Sequence, residues 1–379
     1  MRGLFTPGAF LECSIFMNLK KYQHILAPLL GPVGRGYGAV MSMRRKRYAA
    51  GKFKSYRPEV PVVSVGNIAL GGTGKTPVTS WLLGWAAAQG KKACVLSRGY
   101  GGKPGAVPLQ VTSNTPVAIC GDEPLLLARN HPGAHVFVFP RRAVAAHLAE
   151  NLLAPDLFVL DDGMQHLGVE RDVNLVLLRP EDFEATEWGK VVPYGFWREG
   201  EDALASASAF LVKATAEQFS LFAPLAEKRL GPFGRPLFSF ALHPVGCVPV
   251  LPDSGAVCLS ANDLPGGLEA EYLLATGVGD PAQALRTVAG FMQRPPIRHL
   301  HFPDHHTYTE ADLAGLCRGN RLVLCTEKDA VKLAPLLEKN NNEHGPGFFA
   351  LRVQARFGPT LFTALSFEHW LEQSVREVL

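Results

Sequence analysis

Nowhere among the 379 residues is there an unbroken apolar run of the ~20 residues that a membrane-spanning helix needs. The nearest approach, from Ile25 to Met43, is interrupted by Pro28, Pro32, several glycines and Arg35. A Cys-x-x-Cys pair is also missing. The seven cysteines (Cys13, Cys94, Cys120, Cys247, Cys258, Cys317 and Cys325) are odd in number and scattered, which argues against zinc ligation and dithiol redox chemistry and for a reducing, cytosolic compartment. Strong charge of either sign is lacking too: the formal net charge is +4 and the pI about 8.6. With no basic stripe interleaved with aromatics, nothing announces a nucleic-acid partner. The N-terminus carries no lysine-flanked apolar run closing on a small-residue cleavage site, which argues against a secretory signal; Met17 is a candidate start, because the residues before it add little recognisable order. There is no internal repeat or low-complexity tract.

What is present is core-forming material, with 47% hydrophobic and 19% charged residues in a chain long enough for about two domains. Short β-branched runs at 60–65, 92–97, 135–139, 157–160, 173–178 and 209–213 alternate with helix-length segments. That is the rhythm of a parallel sheet with helical crossovers. Between 231 and 268 the texture turns rich in proline and glycine, without helical period, and reads as a linker with a short β-ribbon. A second alternation follows from 272 to the end. The expected fold class is α/β, with two doubly wound, Rossmann-like domains joined by the ribbon. The expected bounds are an N-terminal segment 1–58, a first α/β domain 59–230, the linker 231–268 and a C-terminal α/β domain 269–379.

"ALGGTGKT", Ala69 to Thr76, has the P-loop form with alanine in place of the first glycine, and it lies after a strand and before a helix-length segment. Leu70, Gly71, Gly72, Thr73 and Gly74 would turn their N–H groups onto phosphate oxygens, at the positive end of the following helix. Lys75 would then reach the β- and γ-phosphates and the Thr76 hydroxyl would ligate Mg²⁺. Pro77 suits a first helical turn, whose N–H groups are unpaired anyway. A carboxylate at a neighbouring strand end is wanted to hold the metal or its waters, and "FVLDDGMQH" offers Asp161 and Asp162 there. Leu70 stands where partitioning-type ATPases carry a second lysine, which argues against a dimerising switch.

Other polar clusters sit at strand ends, where open α/β sheets bind ligands. Asp122 and Glu123 precede an apolar helical run and would also serve simply as acids at a helix start. Arg98 and Tyr100 lie in "SRGYGG", and Arg141 and Arg142 open a helix where guanidinium groups suit phosphate. Asp304, His305 and His306 cluster in "FPDHHTY". After the broken apolar segment come Arg44, Arg45, Lys46, Arg47, Lys52 and Lys54. From these residues alone, a chain lying on an anionic leaflet and a solvated turn after a buried helix are equal readings.

Taken together in order, "VSVGNIALGGTGKTP", "LSRGYGG", "GDEPLLLA", "DDGMQH…RD", "REG" at 198–200, "GVGDP", "FPDHHTY" and "TEKDAVK" resemble the tetraacyldisaccharide 4′-kinase family along nearly the whole chain. The resemblance implies transfer of the ATP γ-phosphoryl group, with Mg²⁺, to the 4′-hydroxyl of an acylated glucosamine disaccharide 1-phosphate in lipid A biosynthesis, yielding lipid IVA. It also implies a peripheral or monotopic place on the cytoplasmic face of the inner membrane, with the basic N-terminal segment on the leaflet. Asp122 matches the family's catalytic aspartate and His305 the histidine that pairs with it. Asp162 and Arg142 join the catalytic set, and Thr76 with Asp161 the metal set. The choices of His305 over His306, and between Asp161 and Asp162, are open at this level. "REG" stands where the family has "REP", which puts the loop after Glu199 in question. Two other classes compete: a P-loop NTPase switch acting on a protein partner, and a membrane-peripheral adaptor whose glycine loop is structural.

Overall fold

The structure, a computed structural model, describes residues 26–251, 257–319, 321–340 and 347–378. The candidate start at Met17 lies outside the described residues. In chain order the elements are α1 (Ala27–Ala49), β1 (Val62–Asn67), α2 (Lys75–Ala88), β2 (Ala93–Ser97), β3 (Leu109–Val111), α3 (Val117–Cys120), α4 (Asp122–Asn130), β4 (His135–Val138), α5 (Arg142–Leu153) and β5 (Leu157–Asp161). They continue with β6 (Val173–Leu178), β7 (Ala209–Lys213), α6 (Ala216–Leu230), β8 (Leu237–Pro249), β9 (Leu273–Thr276), α7 (Pro281–Met292) and β10 (Arg298–His301). Last come α8 (Glu310–Cys317), β11 (Leu322–Thr326), α9 (Glu327–Lys339), β12 (Gly347–Leu361) and α10 (Phe367–Arg376).

By contacts the described chain forms two units. The first is made of 26–75, 160–241 and 357–378, and the second of the described residues within 76–159 and 242–356. In the first unit the strand order is β8-β7-β6-β1, with each neighbouring pair parallel. Every residue of β1 and β6 is buried, as a parallel strand covered on both faces must be, and both are mainly apolar, with Ser64, Asn67 and Asn174 as the buried polar exceptions. Its core gathers Ile68, Met164, Val176, Phe183, Trp197 and Phe210. The second unit holds two strand sets, β5-β2-β4-β3 and β10-β9-β11-β12. In the first set β3 runs antiparallel to β4, and in the second β10, β9, β11 and β12 are parallel.

Side-chain caps set several helix starts in the later part of the chain. The Thr309, Thr326 and Ser366 hydroxyls accept from backbone N–H groups three residues on, opening α8, α9 and α10, and Asp280 does the same for α7. Each such cap stabilises its helix by ~1 kcal/mol.

Two elements differ from the sequence expectation. The apolar N-terminal segment is one helix, α1, with proline at its first turn and Pro32 inside it. Pro32, the sixth residue, lies beyond the first turn, so it forgoes the hydrogen bond to the Pro28 carbonyl and its ring crowds that oxygen, yet the helix runs on to Ala49. The expected linker contains β8, a strand of 13 residues. The contact grouping also cuts across the expected bounds, for residues 76–159 of the first expected domain join 242–356.

Candidate active site

In the first unit β1 ends at Asn67, the chain loops through the glycines, and α2 begins at Lys75. Gly71 and Gly74 have φ of 107° and 89°, a region that favours glycine. A Cβ on Gly74 would lie 2.9 Å from the Phe240 ring, so the loop is held close against its own unit. Gly66 is tighter still: a Cβ there would come within 2.4 Å of the Met164 backbone nitrogen, and only glycine lets the segment after β5 lie across β1. The Thr73 hydroxyl is buried without a hydrogen-bond partner among the described residues, and Gly72 has open space where a Cβ would stand. An unpartnered hydroxyl in an open glycine cradle fits an anionic ligand.

Lys75 Nζ lies 3.0 Å from Asn67 Oδ1 and 3.5 Å from Asp162 Oδ1. Arg198 grips both Asp162 oxygens, at 3.0 and 2.9 Å, and donates to the Asn67 carbonyl at 2.6 Å. Asp161, the last residue of β5, is buried, whereas Asp162 is partly exposed and turns into the left-handed region with φ 48°. Arg171 fixes the following loop by donating to the Gly163 and His166 carbonyls at 2.8 and 2.6 Å. Lys213 Nζ donates to the Gly72 carbonyl at 3.0 Å. Sequence reasoning singled out neither Asn67 nor Lys213. Asn67 sits inside the quoted "VGNIALGG" and was legible as an amide facing the loop, but nothing local marks Lys213.

In the second unit Asp122 is the first residue of α4 and is 5% exposed. Gly121 before it has φ 87°, and a Cβ there would meet the Tyr100 carbonyl at 2.4 Å, which brings "SRGYGG" against the acid. His305 Nδ1 lies 3.0 Å from Asp122 Oδ2 and 3.2 Å from Oδ1. The Tyr100 ring sits against the imidazole with centroids 5.1 Å apart. Burial opposes the Asp122 charge, but the hydrogen bond from His305 and the positive charges of Lys328, His305 and Lys332 hold its pKa below the usual carboxylate value. The same hydrogen bond raises the His305 pKa against burial, helped by the charges of Asp122 and Asp304. His306 turns elsewhere, 3.1 Å from Asp312 and stacked on Phe302.

The reason these distant residues meet is packing of α4 on α9. Glu123 pairs with Lys328, and Asn130 donates to Glu327 at 2.8 Å. Arg352 of β12 closes the set by donating to both Glu327, at 3.1 Å, and Asn130, at 2.9 Å. Asp329 is fully buried and accepts from the Gly277 N–H and the Tyr308 and Thr326 hydroxyls at 3.0, 3.0 and 2.6 Å. It thereby ties the segment that carries His305 to β9 and α9. Arg142 is buried at the first position of α5. Lys328 and Asp329 lie in "TEKDAVK", whose polar residues only the tertiary fold assigns to this site.

A glycine loop between a parallel strand and a helix, a lysine at the helix start and a carboxylate pair at the end of β5 define a P-loop protein. A model of the tetraacyldisaccharide-1-P 4′-kinase family (LpxK) matches residues 26–374, and the chain belongs to this family. A tetraacyldisaccharide 4′-kinase of Nitratidesulfovibrio vulgaris is 44% identical over 358 residues, covering 94% of this chain and 96% of that protein. One from Oleidesulfovibrio alaskensis is 49% identical over 317 residues, 84% of this chain and 86% of the relative. A crystal structure described as the "apo" form of LpxK from Aquifex aeolicus in complex with ATP aligns with a TM-score of 0.70 and 26% identity, over 94% of this chain and 99% of that one.

Proposed function

We propose that the protein transfers the γ-phosphoryl group of MgATP to the 4′-hydroxyl of an acylated glucosamine disaccharide 1-phosphate, giving lipid IVA. The observation that carries this reading is Lys75, held beside Asn67 and Asp162 at the start of the helix that follows the glycine loop. Phosphoryl transfer asks mainly for positioning and for neutralising charge on the transferred group. Backbone N–H groups of Gly71, Gly72 and Gly74 cradle the phosphates and Lys75 neutralises them, whereas the expected N–H groups of Leu70 and Thr73 already donate to the Phe196 and Gly71 carbonyls, at 2.8 and 3.0 Å. Thr76 and Asp161 would supply oxygen ligands for the Mg²⁺ that accompanies ATP. Asp162, already paired with Lys75 and Arg198, keeps these cations poised, and Arg142 adds positive charge to the catalytic set.

Asp122 accepts the proton of the attacking sugar hydroxyl. It is ionised at neutral pH, and its hydrogen bond to His305 orients the carboxylate. The proton leaves the hydroxyl as the oxygen bonds to phosphorus, and the bond from phosphorus to the β,γ-bridging oxygen breaks with that electron pair leaving on ADP.

Among the described residues no helix is long and apolar enough to cross a membrane. α1 instead turns Leu29, Val33, Val40 and Met43 outward at helical spacing, with Leu29 70% exposed. Arg47 in its last turn lies on the same side. A helix with an outward apolar stripe and a basic end suits the interface of an anionic leaflet, which supports a peripheral place on the cytoplasmic face of the inner membrane.

The test is radiolabelled MgATP with acylated disaccharide 1-phosphate in mixed micelles. Labelled lipid is the expected product. Nucleotide hydrolysis indifferent to the lipid would instead support the NTPase switch, and loss of neither activity nor nucleotide affinity in Lys75→Ala would support a structural loop.

A further inference from the structure

The basic cluster that follows the apolar N-terminal segment does not all face outward. Arg45 of α1 is turned inward, where its guanidinium holds Glu199 through Nε at 3.0 Å and Nη2 at 2.9 Å from each carboxylate oxygen. It also donates to the Met164 carbonyl and the Ser206 hydroxyl, at 3.3 and 3.1 Å. Glu199 is 2% exposed, so its charge is kept in the interior by this one guanidinium fork. We propose that Arg45 is a positioning residue for the nucleotide site, setting Arg198 through Glu199 and thereby the places of Asn67, Asp162 and Lys75.

The chain of contacts has no gap. Arg198 is the residue next to Glu199, and its backbone N–H donates to the Ile68 carbonyl at 2.6 Å. Its side chain grips Asp162 and donates to Asn67. The Asn67 side-chain oxygen accepts from both Arg198 and Lys75. A second tie runs alongside: Arg44 Nη1 donates to the Gln165 carbonyl at 3.0 Å, and Gln165 Nε2 donates to the Asn67 carbonyl at 3.1 Å. Two consecutive arginines of α1 thus converge on the residue that orients the phosphate-binding lysine. Lysine at position 45 would keep the charge but lose the planar fork that fixes the Glu199 carboxylate in one orientation.

This inference rests on the reading that the glycine loop binds MgATP, and calorimetry without lipid or detergent separates the two. If the parent chain gives no heat with MgATP, the nucleotide reading fails. If the parent binds, Arg45→Lys and Glu199→Gln are expected to weaken the affinity roughly tenfold, and to raise KM for ATP while KM for the acylated disaccharide stays within about twofold. Arg57→Met, which removes the ion pairs of a half-exposed arginine with exposed Glu170 and largely buried Asp172 in the same unit, is the control and is expected to leave MgATP affinity unchanged. A role limited to pinning α1 predicts a lower melting temperature with unchanged MgATP affinity, or a raised KM for the lipid alone. Either result in a variant that still unfolds cooperatively overturns the proposal, as does an equal loss of affinity in Arg57→Met. Should Glu199→Gln fail to fold, Arg45→Lys, which leaves no uncompensated buried charge, decides the matter.

Discussion

Asp122 has opposing influences on its proton affinity, and their balance makes it a usable base. Burial raises its proton affinity; the hydrogen bond from His305 and the charges of the nearby lysines more than offset that and hold its pKa below the usual carboxylate value. Asp122→Asn removes the proton acceptor at nearly constant shape, so kcat is expected to fall on the order of 10²–10⁴-fold while the calorimetric affinity for MgATP stays within about threefold. The pair also makes stability depend on pH. The Asp122 carboxyl is depressed below 3.8, so its contribution is present above that value and is lost as pH falls through the depressed one. The His305 imidazole is raised above 6.5, so its contribution is complete below 6.5 and is lost as pH rises through the raised value. Urea unfolding of parent and His305→Ala should therefore differ most between these limits, and the difference should shrink at pH 9; a gap that grows with pH would remove the ion pair from the account. At this scale the sequence was informative wherever chemistry follows from local order, as with Lys75 after its glycines. It gave no role to Asp329 and placed Arg45 only in a basic cluster, because ordinary polar side chains become functional only through what is packed beside them.

Among the elements, α1 has two faces of opposite use. Gly34 lies so close to the segment after Gly189 that a Cβ would meet the Val191 carbonyl at 2.8 Å, while the opposite side presents the apolar stripe. Replacing Leu29, Val33 and Val40 together by serine should abolish flotation with anionic vesicles and leave MgATP affinity in free solution unchanged. Loss of nucleotide binding in that variant would mean the stripe serves the fold instead. The glycine loop makes a second prediction. Gly74→Ala puts a Cβ at positive φ and against the Phe240 ring, a strain of roughly 1–3 kcal/mol, and should weaken MgATP binding along with stability. Strands buried on both faces, such as β1 and β6, were legible because short runs dominated by valine and leucine leave few alternatives. β8 was not: it contains Pro244 and Gly246, and its burial pattern follows no simple alternation. The continuity of α1 through two prolines was equally hidden: Pro28 falls in the tolerated first turn, but Pro32 breaks a backbone hydrogen bond that nothing local compensates.

For the whole molecule, nucleotide and stability are linked. MgATP at about 100 times its Kd should stabilise the protein by ~2.7 kcal/mol, seen as a raised melting temperature that Lys75→Ala removes. The interleaving of chain segments has its own consequence. Because 76–159 share a unit with 242–356, a fragment of residues 59–230 should lack cooperative unfolding, and circular dichroism melts of that fragment would show it. Cooperative melting at the parent's temperature would instead favour the sequence-based division. By itself the sequence determined the class of fold, the phosphate loop and the family, because hydrophobic period and glycine placement are local properties of a chain. Only the tertiary structure decided which histidine meets Asp122, which arginine of the basic cluster turns inward, and which amide steadies Lys75. Those choices depend on side chains separated by up to 183 positions being brought to hydrogen-bonding distance, and no local pattern encodes such a meeting.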